Sequence, residues 1–250
     1  MTLLSRIYFS IVDACKSFGI QIDIQKIEKD SKEYQSVFLR KVYSPWASDK
    51  KFNQTFDVVK ENTLVDKYRC YELWQLIGQV KNVEGAILEV GVWRGGTGAI
   101  LAKSAQMHEI KDPVYLCDTF EGVVKTSKAD PDYHGGEHSD TTEDTVVRLL
   151  RKMQLKHAKT LKGIFPEDTQ SQIKEKKFRF CHIDVDVYQS AKDVLDWVWP
   201  KLSKNGVVVF DDYSFETTKG VQKLVSEEVK KKQPFFIHNL NGHAIFIKTK

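Results

Sequence analysis

The sequence predicts an α/β fold: a seven-stranded, mostly parallel sheet flanked by helices, with an antiparallel last strand and a helical extension before it. Three observations carry this. From residue 68 onward, short apolar runs alternate with helix-period stretches, the signature of strand–crossover–strand units. The chain closes on two apolar runs, "FFIH" and "HAIFIK", joined by a turn carrying Asn241-Gly242, which reads as a hairpin. Residues 1 to about 60 are polar and helix-leaning, with no clear strand. The expected division is a helical extension over 1–65 and the α/β domain over 66–250, within the size one domain commonly reaches.

The elements follow in order. In "MTLLSRIYFSIVDACKSFGI", Leu4, Ile7, Ile11, Cys15 and Phe18 recur at helical spacing, while Arg6, Asp13 and Lys16 interrupt the apolar run. That is an amphipathic helix rather than a signal peptide or a membrane span, expected to pack against protein. A second helix starts near Tyr68, in "YRCYELWQLIGQV". "AILEV" (86–90) is the first strand, followed by a glycine-rich turn and the helix "TGAILAKSAQMH". "VYLCD" (114–118) is the second strand, followed by a long polar stretch from 121 to about 143 that reads as a mobile lid. Next comes "TTEDTVVRLLRKM", a helix with Thr141 or Thr142 as N-cap. Then follow a weak third strand (159–163), a fourth, "FRFCHID" (178–184), its helix "AKDVLDWVWPKL", and a fifth strand, "GVVVF" (206–210). A helix over about 217–232 leads into the terminal hairpin.

Composition narrows the function. The net charge of +4 is mild, and the lysine runs are interleaved with acids, which suits solvated faces and not a nucleic-acid surface. Cys15, Cys70, Cys117 and Cys181 show no CxxC spacing, which argues against a disulfide framework or zinc cluster. The expectation is a reducing, cytoplasmic location with no transmembrane segment.

In an open parallel sheet, ligands sit beyond the carboxyl ends of the strands. After the first strand stands "LEVGVWRGGTG", with Glu89, Gly91 and Gly95. It is not the G-x-G-x-x-G dinucleotide fingerprint, and an acid two residues before the first glycine repels a pyrophosphate. A cationic, phosphate-free cofactor such as S-adenosylmethionine fits better. After the second strand, Asp118 suits a ribose diol, because a carboxylate accepts two hydroxyl protons. Asp184 after the fourth strand would face Asp211 and Asp212 after the fifth. Three such carboxylates need a counter-charge, and hard oxygen ligands on rigid strand ends suit Mg²⁺. Asp211, which follows its strand directly, is expected to be the firmer ligand, with Asp212 acting through water or as a cap.

Together "ILEVGVWRGGTG", "CDTFEG", "GIFPEDT", "HIDVDVYQSAKDVLD" and "VVVFDDY" resemble the TylF/MycF/NovP-type O-methyltransferases. The resemblance covers roughly residues 65–215. It implies a class I methyltransferase, Rossmann-like fold and S-adenosylmethionine- and Mg²⁺-dependent methylation of a hydroxyl on a sugar or glycosylated small molecule. It also implies a homo-oligomer, with a dimer the expected state. Carried over, the metal ligands are Asp184, Asp211 and Asp212, and the methyl donor is held by Glu89, Gly91, Gly95, Asp118 and Phe120. Phe165 and Asp168 fall near the cofactor or substrate rim. The chain departs from the family pattern at Val185 and Gln189, where glycine and glutamate are usual.

On this reading Asp184 is the candidate catalytic base, with Asp186 and His182 as alternatives. The rivals are a catechol- or CoA-ester-type O-methyltransferase and a nucleotide-binding protein on the same sheet. Val187, where catechol-type enzymes usually carry lysine, speaks against the first, and the missing dinucleotide fingerprint against the second.

Overall fold

The computed structural model describes Tyr34 and residues 42–250. The amphipathic helix expected over residues 1–20 lies outside the described residues. The chain divides into two compact units, Met1–Tyr43 and Ser44–Lys250, and all that follows concerns the second.

The second unit begins with two helices, α1 (Lys50–Val59) and α2 (Lys67–Gln79). Asp66 caps α2 by accepting from the backbone N–H of Tyr68 and Arg69, leaving two fewer orphan donors in the first turn. Strand and helix then alternate: β1 (Ala86–Val90), α3 (Gly96–Met107), β2 (Val114–Asp118), α4 (Glu143–Lys152) and β3 (Ala158–Lys162). They continue with β4 (Phe178–Ile183), α5 (Tyr188–Val198), β5 (Leu202–Phe210), α6 (Lys219–Lys232), β6 (Phe235–His238) and β7 (Ala244–Ile247). The sheet order is β3-β2-β1-β4-β5-β7-β6, with β7 antiparallel to both neighbours. The expected seven strands and reversed last strand are therefore present.

The third strand lies one residue earlier than the sequence reading, the fourth ends one residue early, and the helix after it begins three residues early, at Tyr188; two other boundaries have a clear cause. Pro200 has no N–H, so α5 stops at Val198 and a single 3₁₀ turn (Trp199–Lys201) follows. Strand β5 starts early, at Leu202, which pairs with Phe178, and the register shifts before Phe180 meets Val207. Thr142, not Thr141, caps α4, accepting from the N–H of Thr145.

Each sheet face buries its own helices. Ile87, Phe180, Val209 and Ile245 point to the side covered by α1–α4. Leu88, Cys181, Val208 and Phe246 point to the side covered by α5 and α6. Because side chains alternate along a strand, Glu89, His182, Asp211 and His243 continue the first set by one step. Four ionisable groups are thus stacked at the top of the α2/α3 side, all 3% exposed or less. Among the described residues no helix is long and apolar enough to cross a membrane.

Candidate active site

Strand order reverses between β1 and β4, and there the backbones of two loops touch. Gly91, at φ 85°, sits where an added Cβ would lie 1.6 Å from the carbonyl oxygen of Asp184. Only glycine fits this left-handed, crowded position. A cavity of about 230 Å³ opens at this point. Its walls include Gly91, Asp118, Asp184, Asp211 and Asp212.

The three carboxylates lie together, with one oxygen from each within 4.8 Å of the others. Their environments differ. Asp211 hydrogen-bonds His243 Nε2 at 2.9 Å and accepts from Arg69 Nη1. Burial alone would raise the Asp211 pKa, but His182, His243 and Arg69 together hold it well below the usual carboxylate range. Asp212 accepts from the N–H of Asp186 at 3.0 Å, so it also braces the loop after β4. Among the described residues no ion pair reaches Asp184 or Asp212. Burial, and then the neighbouring aspartates, push both pKa values well up.

A buried network supports Asp211 from below. His182 Nδ1 contacts Glu89 Oε1 at 2.9 Å, while its Nε2 stands 3.5 Å from Asp211 Oδ1. Burial opposes charge on His182, but Asp211 and Glu89 overcome it and push its pKa up to about 10. His243 is held on its other nitrogen by Glu72 of α2. Arg69 is fixed by Asp66, 2.8 Å from its Nε, and lies over the Phe215 ring. Sequence reasoning missed Arg69, Glu72 and His243. Strand parity could have found His243, which shares the face of Ile245, whereas nothing in α2 marks Arg69 as reaching a strand end.

The expected cofactor residues separate into two groups. Gly91 and Asp118 line the cavity, whereas Glu89, Gly95 and Phe120 stand behind its wall. Asp118 clamps the glycine-rich turn. Its Oδ2 accepts from Val92 N (2.6 Å) and Trp93 N (2.8 Å), and its Oδ1 from Phe120 N (2.7 Å). Glu89 is fully buried; one oxygen faces His182, and the other, without a hydrogen-bond partner, lies where a side chain on Gly98 would be. Gly95 precedes α3 at φ 87°. Phe165 lines the cavity, and Asp168, exposed and not among its lining residues, accepts from Ile164 N at 2.9 Å.

The segment between β2 and α4 is tied across the opening. Tyr133 donates to Asp186 Oδ1 at 2.6 Å. Asp130, 2% exposed, accepts from Tyr188 N at the start of α5 (2.8 Å). Lys125 bridges Glu167 and Asp193, and Asp140 accepts from the indole of Trp93. Trp93 and Asp186, both at positive φ, line the cavity that this segment covers. Such backbone conformations in non-glycine residues gather where a site over-determines its geometry.

The carboxylate cluster fits a hard divalent cation. The donors are all oxygens, they sit on rigid strand ends, and two of them have no cationic partner among the described residues. Asp184, Asp211 and Asp212 would hold such an ion.

The macrocin-O-methyltransferase (TylF) family model matches residues 25–244. Demethyldecarbamoylnovobiocin O-methyltransferase of Streptomyces niveus is 28% identical over 167 residues, covering 61% of this chain and 62% of its own. Mycinamicin III 3''-O-methyltransferase of Micromonospora griseorubida is 29% identical over 143 residues, covering 52% and 56%. The chain spans less than two thirds of the length of these curated relatives. Among solved structures, the O-methyltransferase NovP superposes with a TM-score of 0.67 at 25% identity, covering 76% of this chain and 83% of that one. Calicheamicin methyltransferase CalS11 superposes at 0.61 with 17% identity, covering 88% and 99%, which is a likeness of fold alone.

Proposed function

The chain belongs to the macrocin O-methyltransferase family, and from that premise we propose that it methylates a hydroxyl of a sugar or glycosylated small molecule, using S-adenosylmethionine and Mg²⁺. The observation that carries this reading is that Asp184, Asp211 and Asp212 converge and line one cavity together with Gly91 and Asp118. A further relative, of Streptomyces olivaceus and 26% identical over 144 residues, is named for 4'-O-methylation of a rhamnosyl tetracenomycin, which supports a glycosylated acceptor.

In this reading Gly91 lets the methyl donor approach the backbone, and Asp118 fixes the turn beneath it. Glu89, Gly95 and Phe120 shape that wall from behind. Asp184, Asp211 and Asp212 hold the cation, which, when bound, lowers the pKa of a coordinated hydroxyl and orients it. Asp184 would take the hydroxyl proton on a carboxylate oxygen; S-adenosylmethionine, when bound, would supply the methyl group to the hydroxyl oxygen and leave as S-adenosylhomocysteine. The place of Asp184 as a ligand of the same cation would set it beside the coordinated hydroxyl, which suits that task. The segment carrying Tyr133 and Asp130 excludes water from the site. A homodimer is the expected assembly, and the cytoplasm the expected location.

Calorimetry with S-adenosylmethionine and with NAD tests the donor. Binding of NAD alone would overturn the reading. Methyl transfer to a sugar panel with and without EDTA tests the metal, and activity unchanged in EDTA would remove Mg²⁺ from it.

A further inference from the structure

Asp211 is treated differently from its two neighbours, and both treatments originate on one helix. Arg69 and Glu72 lie three residues apart on α2, hence on the same face of that helix. Arg69 pairs with Asp211 directly, and Glu72 holds the His243 ring that contacts the other Asp211 oxygen. The Arg69 side chain is 8% exposed and that of Asp211 is 4% exposed, so water screens their interaction little.

The charges around the site can be followed group by group. His182 is matched by Glu89 and His243 by Glu72. Arg69 has no such private partner inside the protein. Its other carboxylate, Asp66, is 43% exposed, where solvent weakens its hold. With the three carboxylates ionised, as a bound cation would require, the buried guanidinium offsets one of their charges, while Asp186, whose N–H donates to Asp212, adds a further acid beside them.

We propose that Arg69 is the charge-setting and positioning residue of this carboxylate cluster: it fixes Asp211 in one orientation and offsets one of the negative charges that a divalent cation would meet. The inference rests on the metal reading above. Arg69 therefore acts against tight cation binding while keeping the empty cluster folded. Removing its charge should strengthen cation binding, although it destabilises the empty protein.

The test is calorimetric titration of the purified full chain with Mg²⁺ alone, without methyl donor or acceptor. Arg69→Gln is expected to bind Mg²⁺ on the order of tenfold more tightly than wild type. Arg69→Lys keeps the charge and should stay within about threefold. Asp66→Asn leaves the guanidinium in place and removes the carboxylate that shares its charge, so it should bind Mg²⁺ about threefold more weakly. A general loss of structure would weaken binding in all three, so the opposite signs for Arg69→Gln and Asp66→Asn identify the charge effect. Equal or weaker binding by a folded Arg69→Gln overturns the proposal. If Arg69→Gln does not fold, Asp66→Asn decides, and binding equal to or tighter than wild type overturns it. No Mg²⁺ binding by wild type overturns the metal reading and this inference together, whereas wild-type binding with the wrong order of variants overturns the Arg69 assignment alone.

Discussion

Gly91 and Asp184 meet at the switch point of the sheet so closely that a Cβ on the glycine would lie 1.6 Å from the aspartate's carbonyl oxygen. Gly91 N also donates to Cys117 O, and Asp184 N to Val90 O, so neither backbone is free to retreat. Gly91→Ala should cost roughly 3 kcal/mol or more, from overlap added to the positive φ. Differential scanning calorimetry should show a fall in Tm of at least about 6 °C for a domain of this size. A Tm within a degree of wild type would mean that the two loops separate easily.

Within the cluster, Asp184 and Asp212 have no ion-pair partner among the described residues, and of the two only Asp212 also braces the backbone, at Asp186 N, so replacing Asp184 costs the scaffold least. Asp184→Asn should keep the wild-type circular dichroism and lose on the order of 10²–10⁴ in methyl transfer. Undiminished turnover would remove Asp184 as the base.

The segment from Thr119 to Thr142 is pinned mainly by Asp130, whose carboxylate accepts from Ser127 N (3.1 Å), Ser127 Oγ (2.8 Å) and Tyr188 N (2.8 Å). Asp130→Ala removes hydrogen bonds from part-buried donors that water can still reach, at a cost of about 1 kcal/mol. Hydrogen exchange should speed up across this segment and at the start of α5 while the strands stay protected. Uniform acceleration over the whole sheet would show that Asp130 supports the global fold instead.

Glu228 of α6 is 2% exposed and pairs with Lys231 and Lys232, each at 2.9 Å. Burial alone would raise its pKa, but the two lysines outweigh it and hold the group below the usual value. The stabilisation is complete above the unfolded pKa of about 4.3 and fades as pH falls through the folded value. The gap in urea stability between wild type and Glu228→Gln should therefore narrow progressively as the pH falls below about 5. A gap that is constant over that range would contradict the pairing.

Much of the fold was legible because it rests on local patterns. The apolar runs at 86–90 and 114–118 are strands with those same bounds, and Asn241-Gly242 does turn the terminal hairpin. Strand β5 was harder to bound, since "LSKN" is polar and pairs only because Phe178 offers Leu202 a partner across a register shift. In the site, Asp184, Asp211 and Asp212 could be placed together because strand ends converge on the switch point. Their unequal surroundings could not be placed. The expectation that Asp211 is the firmer ligand came from its position after the strand, yet it is the member already engaged by Arg69 and His243.

The sequence by itself determined the order of strands and helices, the glycine at position 91 and the gathering of acids at the carboxyl ends of β4 and β5. These depend on periodicity, backbone sterics and chain direction, all short-range properties. Only the tertiary structure decided which acid is neutralised. Arg69 reaches Asp211 across 142 residues of chain, and His243 reaches it from an antiparallel strand. Burial makes such pairings matter, because a charge removed from water takes its proton affinity from whichever groups the fold places beside it.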